Sequence, residues 1–188
     1  MTKNTILKTE LLNGRPEEES DRQAREIRTY DFLEKEKIRF ERIDHEAVTT
    51  MEGCAQINQV LGVHMCKNLF LCNHQKTDFY LLLMPGDKKL RTAELSRQAG
   101  SSRLSFADGA DMVKYLDIEP GSLSVMGLIN DTANKVKLLI DEDLFRDEYI
   151  GCHPCVCTTS MKILFSDILE KFLPATGHEY QKVILSRN

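Results

Sequence analysis

Residues 67–84 read KNLFLCNHQKTDFYLLLM, two short apolar runs held apart by a polar link from Asn73 to Asp78. Two runs of β-favouring residues around such a link predict an antiparallel hairpin of Lys67 to Cys72 and Phe79 to Met84. The second run is almost continuously apolar, so it is expected at the centre of a sheet with both faces covered. Pro85-Gly86-Asp87 ends it. A central strand of this kind needs neighbours on its edges and helices over its faces.

The flanking sequence supplies both. Upstream, Ile27, Tyr30, Phe32 and Leu33 recur at helical spacing within Arg22 to Lys37, an amphipathic helix for which Ser20 or Asp21 is the expected cap. Ile38 to Ile43 alternates as a half-buried strand does, His45 begins a turn, and Thr50 precedes a short helix, Glu52 to Leu61, that Gly62 ends. Downstream, Thr92 is expected to cap a helix to Ala99 that Gly100 stops; Arg103 to Phe106 reads as a short strand and Ala107 to Leu116 as a helix. Glu119-Pro120-Gly121-Ser122 is a turn, followed by strand candidates at Leu123 to Ile129, Val136 to Ile140 and Tyr149-Ile150, with a turn at Asp131 to Asn134. Ser166 is the expected cap of a helix from Asp167 to Phe172 closed by Pro174 and Gly177, and Lys182 to Leu185 is a last strand. Strands and helices without strict alternation predict an α+β single domain with a mixed, mainly antiparallel central sheet flanked by helices. Residues 1–20 lack periodicity and read as an N-terminal extension to a domain at 21–188.

A chain of 188 residues fits one domain, and 41% hydrophobic with 29% charged residues is ordinary for a packed globular protein. The formal net charge of -4 means that attraction to a polyanion must come from a local patch. Lys88, Lys89, Arg91, Arg97 and Arg103 fall in one stretch, either such a patch or a solvated face. No apolar run approaches the roughly 20 residues of a membrane span, and Met1 to Arg15 lacks a signal-peptide core, so a cytoplasmic protein is expected. Its six cysteines are then expected as reduced thiols.

Cys152-His153-Pro154-Cys155-Val156-Cys157 suggests zinc at first sight, or a cysteine nucleophile beside a histidine. Against both, a strand sends neighbouring side chains to opposite faces, and buried thiols explain the pattern equally. Lys67 opens an apolar strand and is either a solvated lysine or an ammonium at a pocket mouth. His153, between Gly151 and Pro154, is either structural or part of a pocket wall.

Taken in order, Lys67 to Leu71, Leu83 to Lys88, Arg103 to Ala107, Glu119 to Ser122, Gly127 to Asp131, Gly151 to Pro154 and Phe172-Leu173 with Ala175 to Glu179 form a specific set. It resembles the YbaK and prolyl-tRNA-synthetase-associated editing domain family, closest to the free-standing alanyl-tRNA(Pro) deacylases, from about Ile27 to Leu185. The resemblance implies an enzyme that binds the aminoacylated 3′ end of tRNA and hydrolyses a mischarged ester with no metal, cofactor or covalent intermediate. It implies catalytic roles for Lys67 and Asn68, and substrate binding by Gly121, Ser122, Leu123, Ser124, Gly127, His153, Thr158 and Ser160. Lys88, Lys89 and Arg91 would meet tRNA, and prolyl-tRNA synthetase or an elongation factor would be transient partners; no membrane is implied.

An aminoacyl ester is already activated, so positioning a water and the terminal ribose hydroxyl can suffice. Val125 stands where the family's Gly-x-x-x-Pro loop has proline, Met126 where an aromatic residue is common, and Cys157 where many relatives carry asparagine. These departures motivate the rival reading, a non-catalytic module of the same fold that senses an amino acid or aminoacyl-tRNA.

Overall fold

The computed structural model describes residues 10–48 and 51–187. Its elements run β1 (Leu12–Asn13), α1 (Ala24–Lys35), β2 (Phe40–Asp44), α2 (Met51–Leu61), β3 (Lys67–Cys72), β4 (Phe79–Met84), α3 (Thr92–Gln98), β5 (Ser105–Phe106) and α4 (Gly109–Leu116). A 3-10 turn (Val125–Ile129), β6 (Val136–Asp141), a second 3-10 turn (Glu142–Arg146), β7 (Tyr149–Cys152) and β8 (Thr159–Leu164) follow. The chain ends with α5 (Phe165–Asp167), a π-helical turn (Ile168–Phe172), α6 (Leu173–Thr176) and β9 (Tyr180–Val183).

The β3–β4 hairpin forms as the sequence predicts, with Lys67 opposite Met84 and Cys72 opposite Phe79. All six residues of β4 are buried. A strand points alternate side chains to opposite faces, so Leu81 and Leu83 enter one apolar cluster with Tyr30 and Phe172, while Tyr80, Leu82 and Met84 enter another with Leu95 and Leu104. Burying each such leucine contributes roughly 1.5–3 kcal/mol. That two-sided burial is why the run carries no polar alternation.

The expected single central sheet is in fact two. One is mixed, in the order β5-β3-β4-β6-β9, with β4–β6 and β6–β9 parallel; the other is antiparallel, β1-β2-β8-β7. They meet at a parallel bridge between Met65 and Gly151. A Cβ on Gly151 would stand 3.0 Å from Met65 Cα and 3.1 Å from the His64 carbonyl oxygen, so only glycine allows this seam to close.

Other local expectations shift. Leu123 to Ile129 does not form a strand: Ser124 Oγ accepts from the Met126 amide (3.2 Å) and caps the 3-10 turn. β8 takes up a segment that the sequence left unassigned. Gln23, Arg91 and Leu164 precede α1, α3 and α5, so neither Ser20, Asp21, Thr92 nor Ser166 is a cap. Pro174 sits inside α6, where the π-helical turn before it relaxes the backbone, and Gly177 alone ends the helix. The expected cap Thr50 lies outside the described residues. Of the segment read as an extension, Leu12 and Asn13 pair with Arg42 and Glu41 of β2, and Arg15 bonds Glu19, Asp31 and Glu34.

Candidate active site

A cleft of about 340 Å³ opens at the seam between the sheets. Its floor is an exposed strand edge. β5 pairs with β3 only at Leu71 and Cys72, which leaves the edge of β3 uncovered towards its start. The Cys66 amide donates to the Gly151 carbonyl (3.1 Å) and the Phe70 carbonyl accepts from Ala107 (3.0 Å). In an antiparallel strand alternate residues turn both backbone groups to the same edge, so the Asn68 N–H and C=O, lying between those two, face the cleft. Met65, Phe70, Met112 and Leu123 make apolar walls around Asn68 and His153.

Both polar side chains present unused acceptors. Asn68 Nδ2 donates to the Cys66 carbonyl (3.1 Å), while its buried Oδ1 has no hydrogen-bond partner among the described residues. His153 Nδ1 stands 2.8 Å from the Thr159 carbonyl, a pure acceptor, so Nδ1 carries the proton and Nε2 keeps a lone pair for a ligand. Burial pushes the His153 pKa below the ordinary histidine value, which keeps the ring neutral. Behind it, Ser160 Oγ lies 3.5 Å from His153 Nδ1 and 2.9 Å from His45 Nε2, and His45 Nδ1 donates to the Glu46 carbonyl (2.7 Å). The acceptor for the Ser160 hydroxyl proton is therefore His45 Nε2. Sequence gave no signal for His45, which is 115 residues from Ser160.

The predicted site residues divide accordingly. Asn68, Gly121, Leu123 and His153 line the cleft. Ser160 is wholly buried behind His153. Ser124 is also buried, its hydroxyl used on the Met126 amide, and Ser122 is buried in the preceding turn. Gly127 packs away from the cleft: a Cβ there would come within 2.6 Å of Ile118 Cδ1. Val125 and Met126, the departures from the family loop, are fully buried core residues. Thr158 is exposed away from the cleft, its carbonyl accepting the His45 amide (2.8 Å).

Lys67 lies on the face of β3 opposite Asn68, and its Nζ donates to the Lys88 carbonyl (2.6 Å). Lys88 corrects the sequence reading. It is 4% exposed, with Nζ held by Asp141 (2.8 Å), Asp143 (2.9 Å) and the Leu185 carbonyl (2.8 Å), so no phosphate reaches it. Lys89 and Arg91 are exposed.

Three of the thiols are held in the unreactive form. Burial pushes the Cys66 and Cys155 thiols up to about 12 and Cys152 higher still, so they stay protonated. Among the described residues no three His, Cys, Asp or Glu side chains converge as a metal-ligand set. None of the described helices is long and apolar enough to cross a membrane.

Several known proteins resemble this chain. The prolyl-tRNA editing protein ProX of Acetoanaerobium sticklandii is 29% identical over 153 residues, 81% of this chain and 93% of its own length. The prolyl-tRNA synthetase associated domain-containing protein 1 of Mus musculus is 31% identical over 76% of this chain and 85% of its own. A crystal structure of a protein proposed as a trans-editing enzyme for prolyl tRNA synthetase shares the fold, with a TM-score of 0.66 at 15% identity over 87% of this chain and 99% of that one. The aminoacyl-tRNA editing domain model matches residues 45–171, which include the cleft, its open strand edge and His153, and the chain belongs to that aminoacyl-tRNA editing domain family.

Proposed function

We propose that this protein is a trans-acting deacylase that hydrolyses mischarged tRNA, with alanyl-tRNA(Pro) its favoured substrate. The observation that carries the reading is the pairing of an uncovered backbone edge with two unused acceptors in one apolar cleft. The Asn68 amide N–H, aimed at the cleft, is a donor for the ester carbonyl as it becomes an oxyanion. Asn68 Oδ1 and His153 Nε2 suit the α-ammonium of the amino acid, or one of them a water poised to attack. The ribose hydroxyl leaves with the tRNA, and an activated ester needs no protein nucleophile.

A primary ammonium has three protons to offer, whereas the ring nitrogen of proline has two and carries extra methylenes. Apolar walls discriminate a methylene by only about 1–3 kcal/mol, so the acceptors add selectivity that size alone does not supply. Lys67, on the face of β3 opposite Asn68 and outside the lining of the cleft, is assigned to the tRNA backbone, and Lys89 and Arg91 extend that patch.

The test is release of alanine from alanyl-tRNA(Pro), with prolyl-tRNA(Pro) as the control substrate. Release from the first and not the second is expected. Binding without release of any small amino acid would replace the enzyme by the sensing module.

A further inference from the structure

Phe106 stands outside both apolar clusters that flank the β3–β4 hairpin. It is 63% exposed, more than the other exposed large hydrophobics Leu11, Val113, Tyr180 and Ile184, yet it also borders the cleft. The register pairs Leu71 with Phe106, and directly opposed residues share a face. Phe106 therefore stands on the same side of the sheet as Leu69 and Lys67, at an edge strand with no strand beyond it among the described residues.

Cations lie on the segments next to it. Lys89, Arg97 and Arg103 are exposed and form no ion pair among the described residues, in a chain whose net charge is -4. Ser96 Oγ accepts from the Leu104 amide (2.9 Å), which fixes the helix carrying Arg97 beside the Arg103–Phe106 segment. Of the acids on the neighbouring segments, Asp108 is engaged by Lys76, Asp87 by Arg187 and Glu94 by Ser186.

An aminoacyl ester seated in the cleft brings its ribose and base with it, and the base must then lie at the rim. An exposed aromatic ring flanked by unpaired cations is what single-stranded nucleic acid uses, the ring for stacking and the cations for phosphate. We propose that Phe106 is the stacking platform for the 3′-terminal base of the tRNA, with Lys67 and Arg103 beside the phosphates of the unpaired end. The identity of the occupant rests on the deacylase reading above.

The experiment uses an uncharged acceptor-stem hairpin whose terminal adenine is replaced by 2-aminopurine, so binding is read independently of hydrolysis. Wild-type protein should quench the fluorophore. Phe106→Leu should abolish quenching, weaken binding and raise KM by about tenfold while leaving kcat in place, and Phe106→Trp should restore both. Because the ring is exposed, the thermal unfolding midpoint of Phe106→Leu should match wild type. If alanine is released but Phe106→Leu leaves KM and quenching unchanged, the platform is refuted and the deacylase stands. If the hairpin binds and quenches without any release from charged tRNA, the platform stands and the enzyme reading falls; if wild type neither binds nor quenches, the platform is refuted.

Discussion

At the end of β4, Lys88 turns inward and meets two carboxylates and a carbonyl; across β3, Asn68 and His153 turn inward and leave an oxygen and a ring nitrogen unused. Buried polar groups are normally matched, because an unmatched one forfeits its bonds to water without replacement. The matched set is structural and ties β6 and the chain end to the 85–91 loop. The unmatched set sits where a ligand can complete it. A sequence shows lysines and asparagines alike as polar letters, and only this difference in satisfaction separates scaffold from site.

The contrast can be broken most forcefully at Lys88. Lys88→Met leaves Asp141, 0% exposed, without its cation, and the cost expected is about 3–5 kcal/mol in urea denaturation. Turnover per folded molecule should be unchanged; a KM effect in stable protein would return Lys88 to the tRNA surface. His153→Ala should reverse the pattern, lowering kcat/KM by about 100-fold with little change in stability.

His153 also sets a pH dependence. Its folded pKa lies below the unfolded value, so the fold binds its proton less readily than the unfolded chain does. The stability this group confers is present above the ordinary histidine pKa and is lost as pH falls through the lower folded value. The acid limb of the kcat/KM profile should accordingly fall below the ordinary histidine range, and a limb at or above that range would show that the neutral ring is not the working form.

Asn68→Ala should reduce kcat/KM by about tenfold at a stability cost of no more than about 1 kcal/mol, since Oδ1 had no partner to lose and Nδ2 served only the Cys66 carbonyl. A larger loss of stability would mean that Oδ1 was serving the scaffold. The smallest effect belongs to the surface. Lys89→Glu with Arg97→Glu should weaken tRNA binding several-fold and reduce the salt dependence of log K by a slope of about 2. An unchanged slope would place the phosphate track elsewhere.

Much of the scaffold was legible because it depends on local chemistry. The apolar run Phe79 to Met84 announced a central strand, and Gly100 and Gly177 ended helices where a left-handed residue was needed. Helix caps were less legible: Ser20, Asp21, Thr92 and Ser166 have the right side chains, but tertiary packing began each helix elsewhere. In the candidate site, His153 and Asn68 carried the family pattern into the cleft. Gly127 carried the same pattern for a different reason, since a glycine required by Ile118 looks in sequence like a glycine required by a substrate.

The sequence by itself determined the hairpin, the α+β class and the family, because periodicity and ordered motifs are properties of neighbours along the chain. Only the tertiary structure decided that there are two sheets, that Lys88 is an internal counterion, that Lys67 and Asn68 serve opposite faces, and that His45 stands behind His153 through Ser160. Those facts depend on which distant groups satisfy one another after the core has formed, and hydrogen-bond partnership across 115 residues leaves no periodic trace.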